Sequence, residues 1–486
     1  MLTVGRSRPR PGIDDLKEFY MSVAAILTRF DDVLYTWCLI YMLAGTGIYF
    51  TIRTRFVQLR LLKDCFMCMF EKKSSDNGIS SFQALMIATA SRVGTGNMAG
   101  VATAIVVGGP GAAFWMWLMA ILGAASAFVE STLAQIYKTR EADGSFKGGP
   151  AYYIERALHA RWLGILFAIS LIATFAFGFN GLQAYNIVST MEYYVPNLHS
   201  SPVPLVIGCI LLVASLYLFF AGSEKIGWLS SVLVPVMSAM YIIMGILIII
   251  LNITEVPAVL ASVMRSAFDF KAIFGGFTGS CMVYGIKRGL FSNEAGMGSA
   301  PNASASAEVS HPAKQGLAQI ISVYIDTLLI CSATVFILLL TGVYKTDSTL
   351  NGIPLLQQSV AHQFGPWAIH IITVAVCMFA FTSIVGNYFY AEANILFISR
   401  NKVFLTIFRV AAAFMVMFGA MNSMDVAWSL ADITMGLEAV VNIIAIVLLS
   451  RIAFAALKDY EDQKAKGIDP VFHEQNIGLT DTDVWK

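Results

Sequence analysis

Two glycine-rich stretches carry residue types that bind small charged solutes, each set inside an apolar run. The first is Ser91-Arg92-Val93-Gly94-Thr95-Gly96-Asn97-Met98-Ala99-Gly100, and the second is Arg288-Gly289-Leu290-Phe291-Ser292-Asn293-Glu294-Ala295-Gly296-Met297-Gly298. Glycine costs a helix ~1 kcal/mol relative to alanine. Unwound backbone at membrane depth persists only where it lines a cavity or is buried by protein. A helix broken there presents two dipole ends: free N–H groups attract a carboxylate, and free carbonyls attract a cation or an ammonium group. Two facing breaks therefore suit a small zwitterion, and an amino acid is the plain candidate. The alternative is close packing, because Gly96-x-x-x-Gly100 and Gly285-x-x-x-Gly289 fit the small-xxx-small pattern. Packing accounts for the glycines but not for Thr95, Asn97, Ser292, Asn293 and Glu294.

Further polar residues interrupt other apolar runs. Thr382 and Ser383 place adjacent hydroxyls in Phe381-Thr382-Ser383-Ile384-Val385-Gly386-Asn387-Tyr388. A sodium ion takes neutral oxygens from carbonyls and hydroxyls. The competing role is a bond back to the carbonyl four residues earlier. Ser383 and Asn387, four apart, share a helical face. Asn180, Gln183 and Asn186 recur every three residues, a stripe that either lines a cavity or joins helices. Arg92, Glu130, Lys287, Arg288, Glu294, Asp326, Glu392, Asp432 and Glu438 lie at membrane depth, each costly unless paired or wet. Structural ion pairing is their ordinary role and a proton relay the alternative; the sequence does not name the pairs. Gly94-x-Gly-x-x-Ala99 loosely matches a dinucleotide fingerprint but lacks the strand that motif requires. Cys65-x-x-Cys68 has no partner ligands nearby, and seven scattered cysteines give no disulfide framework.

The elements that position these residues follow from composition. The chain has 486 residues, 57% apolar and 13% charged, with a mean hydropathy of +0.69. Soluble domains carry about 25% charged residues. These values exclude a soluble enzyme, a disordered chain and a nucleic-acid binder; a net charge of +1 offers no field for polyanions. A bilayer-spanning helix needs ~20 apolar residues. Eleven segments qualify: 33–51, 80–107, 111–137, 162–193, 203–220, 226–251, 273–300, 315–343, 366–396, 402–419 and 425–449. With the first set aside, the two breaks fall in the first helix of each five-helix half. An odd repeat length makes the halves inverted. The expected organisation is a tail and lead-in at 1–32, an extra helix at 33–51, repeats at 80–251 and 273–449, and a cytoplasmic tail at 450–486. Lys and Arg concentrate on the side of the loop after the first span, which puts the N-terminus outside and the C-terminus in the cytoplasm. Arg6, Arg8 and Arg10 break that pattern, and Met21 is an alternative start. The chain lacks His-Glu-x-x-His and Gly-x-Ser-x-Gly, which argues against an intramembrane enzyme. No filter of repeated carbonyls or charge rings marks a channel.

The stretches "RVGTGNMAGVATAIVVGGPGAAFWMW", "SFKGGPAYYIERAL", "RGLFSNEAGMGSAPNASA" and "HPAKQGLAQ…IDTLLICSAT" resemble the alanine-or-glycine:cation symporter family, a likeness covering about residues 33–455. The resemblance implies an all-α leucine-transporter-like fold with one extra N-terminal helix. It also implies sodium-coupled amino-acid uptake in a bacterial or archaeal inner membrane, with sodium as coupling ion and no cofactor. A sodium- or proton-coupled carrier needs amino acid, ion and lipid bilayer, and no obligate protein partner is inferred. By position, Thr95, Gly96 and Asn97 match the family's unwound helix, implied to hold the substrate carboxylate. Gln183 matches its pocket glutamine, and Phe291, followed by Ser292, its sixth-helix aromatic. Thr382 and Ser383 match the hydroxyl pair of the sodium site, with carbonyls near Ala90 and Val93. Many members carry Trp where this chain has Asn387. That exchange implies a roomier, more polar pocket and admits a larger polar amino acid such as glutamine.

Overall fold

The computed structural model describes residues 29–30, 33–71, 79–142, 144–269, 280–422 and 424–486. The choice between Met1 and Met21 lies outside them. Apolar sequence in lipid must satisfy its backbone internally, so helix dominates. Among the described residues the one sheet is a hairpin of β1 (Thr139–Arg140) and β2 (Phe146–Lys147), paired antiparallel.

In chain order the principal helices are α1 (Ile40–Arg53), α2 (Leu62–Met69), α3 (Ser81–Arg92), α4 (Ala99–Gly108), α5 (Ala112–Ile136), α6 (Pro150–Leu158), α7 (Arg161–Ile172), α8 (Asn180–Ser189), α9 (Val203–Phe219) and α10 (Ser223–Leu251). There follow α11 (Val256–Ala267), α12 (Cys281–Asn293), α13 (Ala300–Ser306), α14 (Pro312–Val323), α15 (Ser332–Thr341), α16 (Gly352–Phe364), α17 (Ala368–Ile398), α18 (Lys402–Ala420) and α19 (Met424–Ala465). Among the described residues, eight continuous helical runs are long and apolar enough to cross a membrane. Three of the eleven expected segments are not among them. One is the 17-residue α9. The other two are the interrupted pairs α3/α4 and α12/α13.

Local chemistry sets several helix ends. Ser80 and Gln83 form a reciprocal capping box that starts α3. His311 Nδ1 accepts from Ala313 N at 3.1 Å and, with Pro312 in the first turn, starts α14. Three runs contain a π-helical turn, at Tyr35–Leu39, Ala173–Phe179 and Tyr324–Cys331. Outward faces are apolar: Trp37 in the first π turn, Tyr41 and Ile52 on α1, Val213 and Tyr217 on α9, and Ile243 and Ile250 on α10 are exposed. Apolar surface of that extent belongs against lipid.

The loops collect at two ends. At one end Gly111 N donates to Ser266 Oγ at 3.0 Å and Gln357 Nε2 to Thr190 O at 3.1 Å. The short helix α11 closes this end and was not an expected element. At the other end α19 continues to Ala465, well past the expected boundary at 449. The chain then folds back. Phe472 N donates to Ser310 O at 3.0 Å, and Trp485 Nε1 to Gln135 O at 2.8 Å. Ion pairs fasten it, Lys314 to Glu71 and Asp469, Arg156 to Asp483 and Lys464 to Asp64, and His311 Nε2 meets Asp459 in a hydrogen bond. The segment after 450 is thus a folded cover on the residues that lead into α14.

Candidate functional site

The first break occupies residues 93–98, where Thr95–Asn97 makes a single 3-10 turn between α3 and α4. Its polar groups meet neutral amides. Gln183 Oε1, on α8, accepts from Thr95 N at 3.1 Å and Thr95 Oγ1 at 2.7 Å. Asn186 Nδ2 donates to Thr95 Oγ1 at 2.7 Å. Asn97 Oδ1 accepts from Gly94 N at 3.0 Å. The π turn immediately before α8 adds a residue to the helix and sets the rotation of its polar stripe. A Cβ at Gly96 would lie 2.3 Å from the Phe291 ring, and one at Gly94 would lie 2.4 Å from Ser383 Oγ. Side chains, not backbone, therefore crowd both glycines. Phe291 is flanked by Phe179 and Trp428, with ring centroids at 4.6 and 5.2 Å.

Across the turn, Asn97 Nδ2 reaches Ser292 Oγ at 2.9 Å and Asp326 Oδ1 at 2.6 Å. Ser292 Oγ donates to Asp326 Oδ2 at 2.6 Å. The two broken helices therefore meet at Asp326, in the π turn between α14 and α15. Sequence reasoning named Asp326 only as a buried acid, because its contacts bridge 34 and 229 residues.

The hydroxyl pair divides. Ser383 Oγ lies 3.0 Å from Ala90 O and 3.5 Å from Val93 O. Three oxygens converge there without a charged side chain, a set suited to a hard monovalent cation. Thr382 Oγ1 instead bonds Met378 O and Phe379 O of its own helix, both at 3.0 Å. Asn387 is also apart from Gln183. Its Nδ2 donates to Asn180 Oδ1 at 3.0 Å, and its Oδ1 accepts from Ser91 Oγ at 2.7 Å. It joins three helices, the role that an amide in lipid ordinarily plays.

The second break spans residues 294–299. Helix α12 continues through Asn293, so Arg288 to Asn293 are helical where unwinding was expected. Glu294, Gly296 and Gly298 have φ of 52°, 85° and 93°. Gly296 N donates to Glu130 Oε1 at 3.3 Å, and Asn442 Nδ2 reaches Gly296 O at 2.9 Å and Glu130 Oε2 at 3.0 Å. Ser299 Oγ donates to Glu294 Oε2 at 2.6 Å, and Ser91 Oγ to Glu294 Oε1 at 2.9 Å. The protein's own carboxylates already serve this break. Near α12, Arg288 grips Asp432 at 3.0 and 2.8 Å, and Lys287 joins it at 2.8 Å.

A cavity of about 140 Å³ opens beside residues 349–354 and ends on Asn186, Tyr185 and Trp428, next to the first break. A larger one, about 470 Å³, lies at the opposite end beneath the folded C-terminal cover. Its Lys314 and Lys464 are already paired with Glu71, Asp469 and Asp64, leaving no free charge for a ligand.

Comparison with known proteins identifies the family and the fold. The model of the sodium:alanine symporter family matches residues 20–474. The amino-acid carrier protein AlsT of Bacillus subtilis is 46% identical, over 92% of this chain and 95% of its own. The probable sodium/glutamine symporter GlnT of the same organism is 45% identical, over 91% and 92%. In structure, the chain resembles MhsT, solved in complex with L-phenylalanine, with a TM-score of 0.56 at 15% identity over 79% of this chain and 93% of that one. That likeness fixes the leucine-transporter-like fold. Together the matches show a membrane transporter and not an enzyme: the chain belongs to the sodium:alanine symporter family.

Proposed function

We propose that the chain imports a small neutral amino acid, alanine or glycine with glutamine as the larger alternative, with sodium, by alternating access. The observation that carries this reading is the first break. An interrupted helix there is served by the exchangeable amides Gln183 and Asn186 and lies beside the oxygens of Ala90, Val93 and Ser383. The N–H groups around Thr95, Gly96 and Asn97 take the substrate carboxylate. The Phe291 ring and Ser292 bound the side-chain space. Sodium sits among Ala90 O, Val93 O and Ser383 Oγ, with Thr382 turning toward it when the ion arrives. Glutamine enters the range from the printed name of GlnT. The 80–251 and 273–449 halves form inverted repeats after the extra 33–51 helix. The face that carries the 450–486 cover is cytoplasmic, in a bacterial inner membrane, because it gathers the Lys- and Arg-rich loops.

The test is uptake into proteoliposomes under an imposed sodium gradient, with alanine, glycine and glutamine in parallel. Saturable, counterflow-competent uptake of at least one of them supports the reading. Equal uptake driven by a proton gradient in sodium-free buffer overturns sodium coupling. Non-saturable flux would indicate a channel.

A further inference from the structure

The buried acids of the bundle differ in what serves them; Glu130, Glu294 and Asp326 accept from neutral donors. Asp432 is neutralised by Arg288 and Lys287, and Glu392 by Arg409, which reaches it at 2.6 Å. Glu438, on α19, is met by no cation among the described residues, and the Thr174 hydroxyl beside it makes no well-formed hydrogen bond to it. Its exposure is 0%, and neither carboxyl oxygen has a hydrogen-bond partner. It faces Thr174 in the π turn Ala173–Phe179, whose hydroxyl is committed to Ser170 O at 2.9 Å. The titratable groups around it are the carboxyls of Glu130, on α5, and Glu294, at the second break, both of its own sign. Tyr153 of α6 reaches this group through Asn442, one turn along α19. Arg92 acts on Glu130, Glu294 and Asp326 together.

An unpaired carboxylate beside two others in a dry interior costs several kcal/mol. The neutral acid avoids that cost. The Thr174 hydroxyl has already committed its proton to Ser170 O, so it is in no position to stabilise the ionised form of Glu438. Glu438 also rests against a π turn, a helical irregularity common at functional sites. A continuous chain leads from its neighbours to the sodium oxygens. Glu294 bonds Ser91, which bonds Asn387, and Ser91 lies between Ala90 and Val93 in the sequence. A cation among those oxygens adds positive potential to the carboxyl cluster and favours loss of a proton from it.

We propose that Glu438 is a proton-exchanging site: its carboxyl holds a proton until sodium binds and then releases it to water, so that sodium entry and proton release are linked. The O–H bond breaks, the proton leaves to solvent, and the carboxylate charge left behind is balanced by the arriving ion. This rests on the sodium reading above, and the experiment separates the two. Purified protein in weakly buffered detergent solution is titrated with sodium chloride, with potassium chloride as control. A pH indicator reads proton release, and thermal stabilisation reads sodium binding. Wild type is expected to release a proton for each sodium ion bound. Glu438→Gln, the neutral isostere, should still be stabilised by sodium but release none. Glu438→Asp should release a proton at a displaced pH, which keeps the test open if the Gln variant does not fold. Sodium binding by wild type without proton release, or equal release from wild type and Glu438→Gln, overturns the proposal. An unshifted pH dependence in Glu438→Asp does the same. No stabilisation of wild type by sodium overturns the sodium reading and this proposal with it.

Discussion

The breaks at residues 93–98 and 294–299 interrupt two helices with the same kinds of residues, yet their exposed backbone is served in opposite ways. At the first, neutral side chains hold Thr95 and Gly94, and the crowding atoms belong to the Phe291 ring, the Gln183 amide and the Ser383 hydroxyl. Such groups can turn aside for a ligand. At the second, Glu130 and Glu294 fill the place an anion would take, Asn442 and Ser299 fix those carboxyls, and Tyr153 donates to the Asn442 amide oxygen. Gly298 is walled by Asn442, Pro150 and Phe167 at 2.8 to 2.9 Å from a would-be Cβ. Composition marks both as breaks. Only their partners separate a break held by neutral side chains from one filled by carboxylates.

The sharpest way to break this comparison is to put the same residue into both. Gly298→Val adds a β-branched side chain at φ 93°, where three side chains leave no room. Backbone strain and overpacking each cost ~1–3 kcal/mol. The variant is expected to be lost from the membrane fraction or to melt far below wild type in detergent. Gly96→Val should insert and melt nearly normally, because the Phe291 ring can rotate away, while substrate binding disappears. Normal alanine binding by Gly96→Val, or ordinary stability of Gly298→Val, would erase the distinction.

A ligand competition series sharpens the chemical side. If the first break takes a carboxylate, amino acids should compete for uptake. Their amides and decarboxylated amines should lose at least ~10-fold in affinity, since a charge-assisted bond contributes roughly 1.5–3 kcal/mol. Equal competition by an amide would place the carboxylate elsewhere.

The oxygen set adjoining the first break gives a smaller, graded effect. Ser383→Ala removes the hydroxyl that spans to Ala90 O and Val93 O, and should raise the half-saturating sodium concentration ~10-fold or more. Thr382→Ala removes bonds that stay within its own helix and should change it less. The reverse order would show that Thr382, and not Ser383, dominates the site once the ion is bound.

These contrasts also measure what the sequence could disclose. Continuous apolar runs placed the long helices, because lipid leaves the backbone no other partner. The Gly-Thr-Gly-Asn pattern placed the first break. The second was displaced by six residues, because Arg288 and Ser292 remain helical through tertiary contacts with Asp432 and Asp326. Those partners lie 144 and 34 residues away, and no local pattern announces them. The π turns were equally silent, since an extra residue per turn leaves hydropathy unchanged. Asn387 illustrates a third limit. Its type signalled polarity at membrane depth, but only its rotation on α17 directs it to Asn180 and Ser91 instead of Gln183.

The smallest effect concerns what clamps the second break from below. Helix α13 leads through Ser310 and His311 into α14, and the folded C-terminal segment seats on those residues. Nδ1 of His311 must keep a lone pair to accept from Ala313 N, while Nε2 faces Asp459 at 3.2 Å. Burial lowers the imidazole below its usual value of 6.5. The folded state therefore resists protonation more than the unfolded one. Stability from this residue is complete above about pH 6.5 and is lost as pH falls below it, toward the folded value. Protonation also deletes the cap, a loss of about 1 kcal/mol. Thermal midpoints in detergent should thus fall between pH 7 and pH 5 by a few degrees. His311→Asn, which caps without titrating, should flatten that slope while leaving sodium affinity at the first break unchanged. If the slope persists in His311→Asn, acid acts on the second break through another group, and the carboxyls of Glu130 and Glu294 become the ones to replace next.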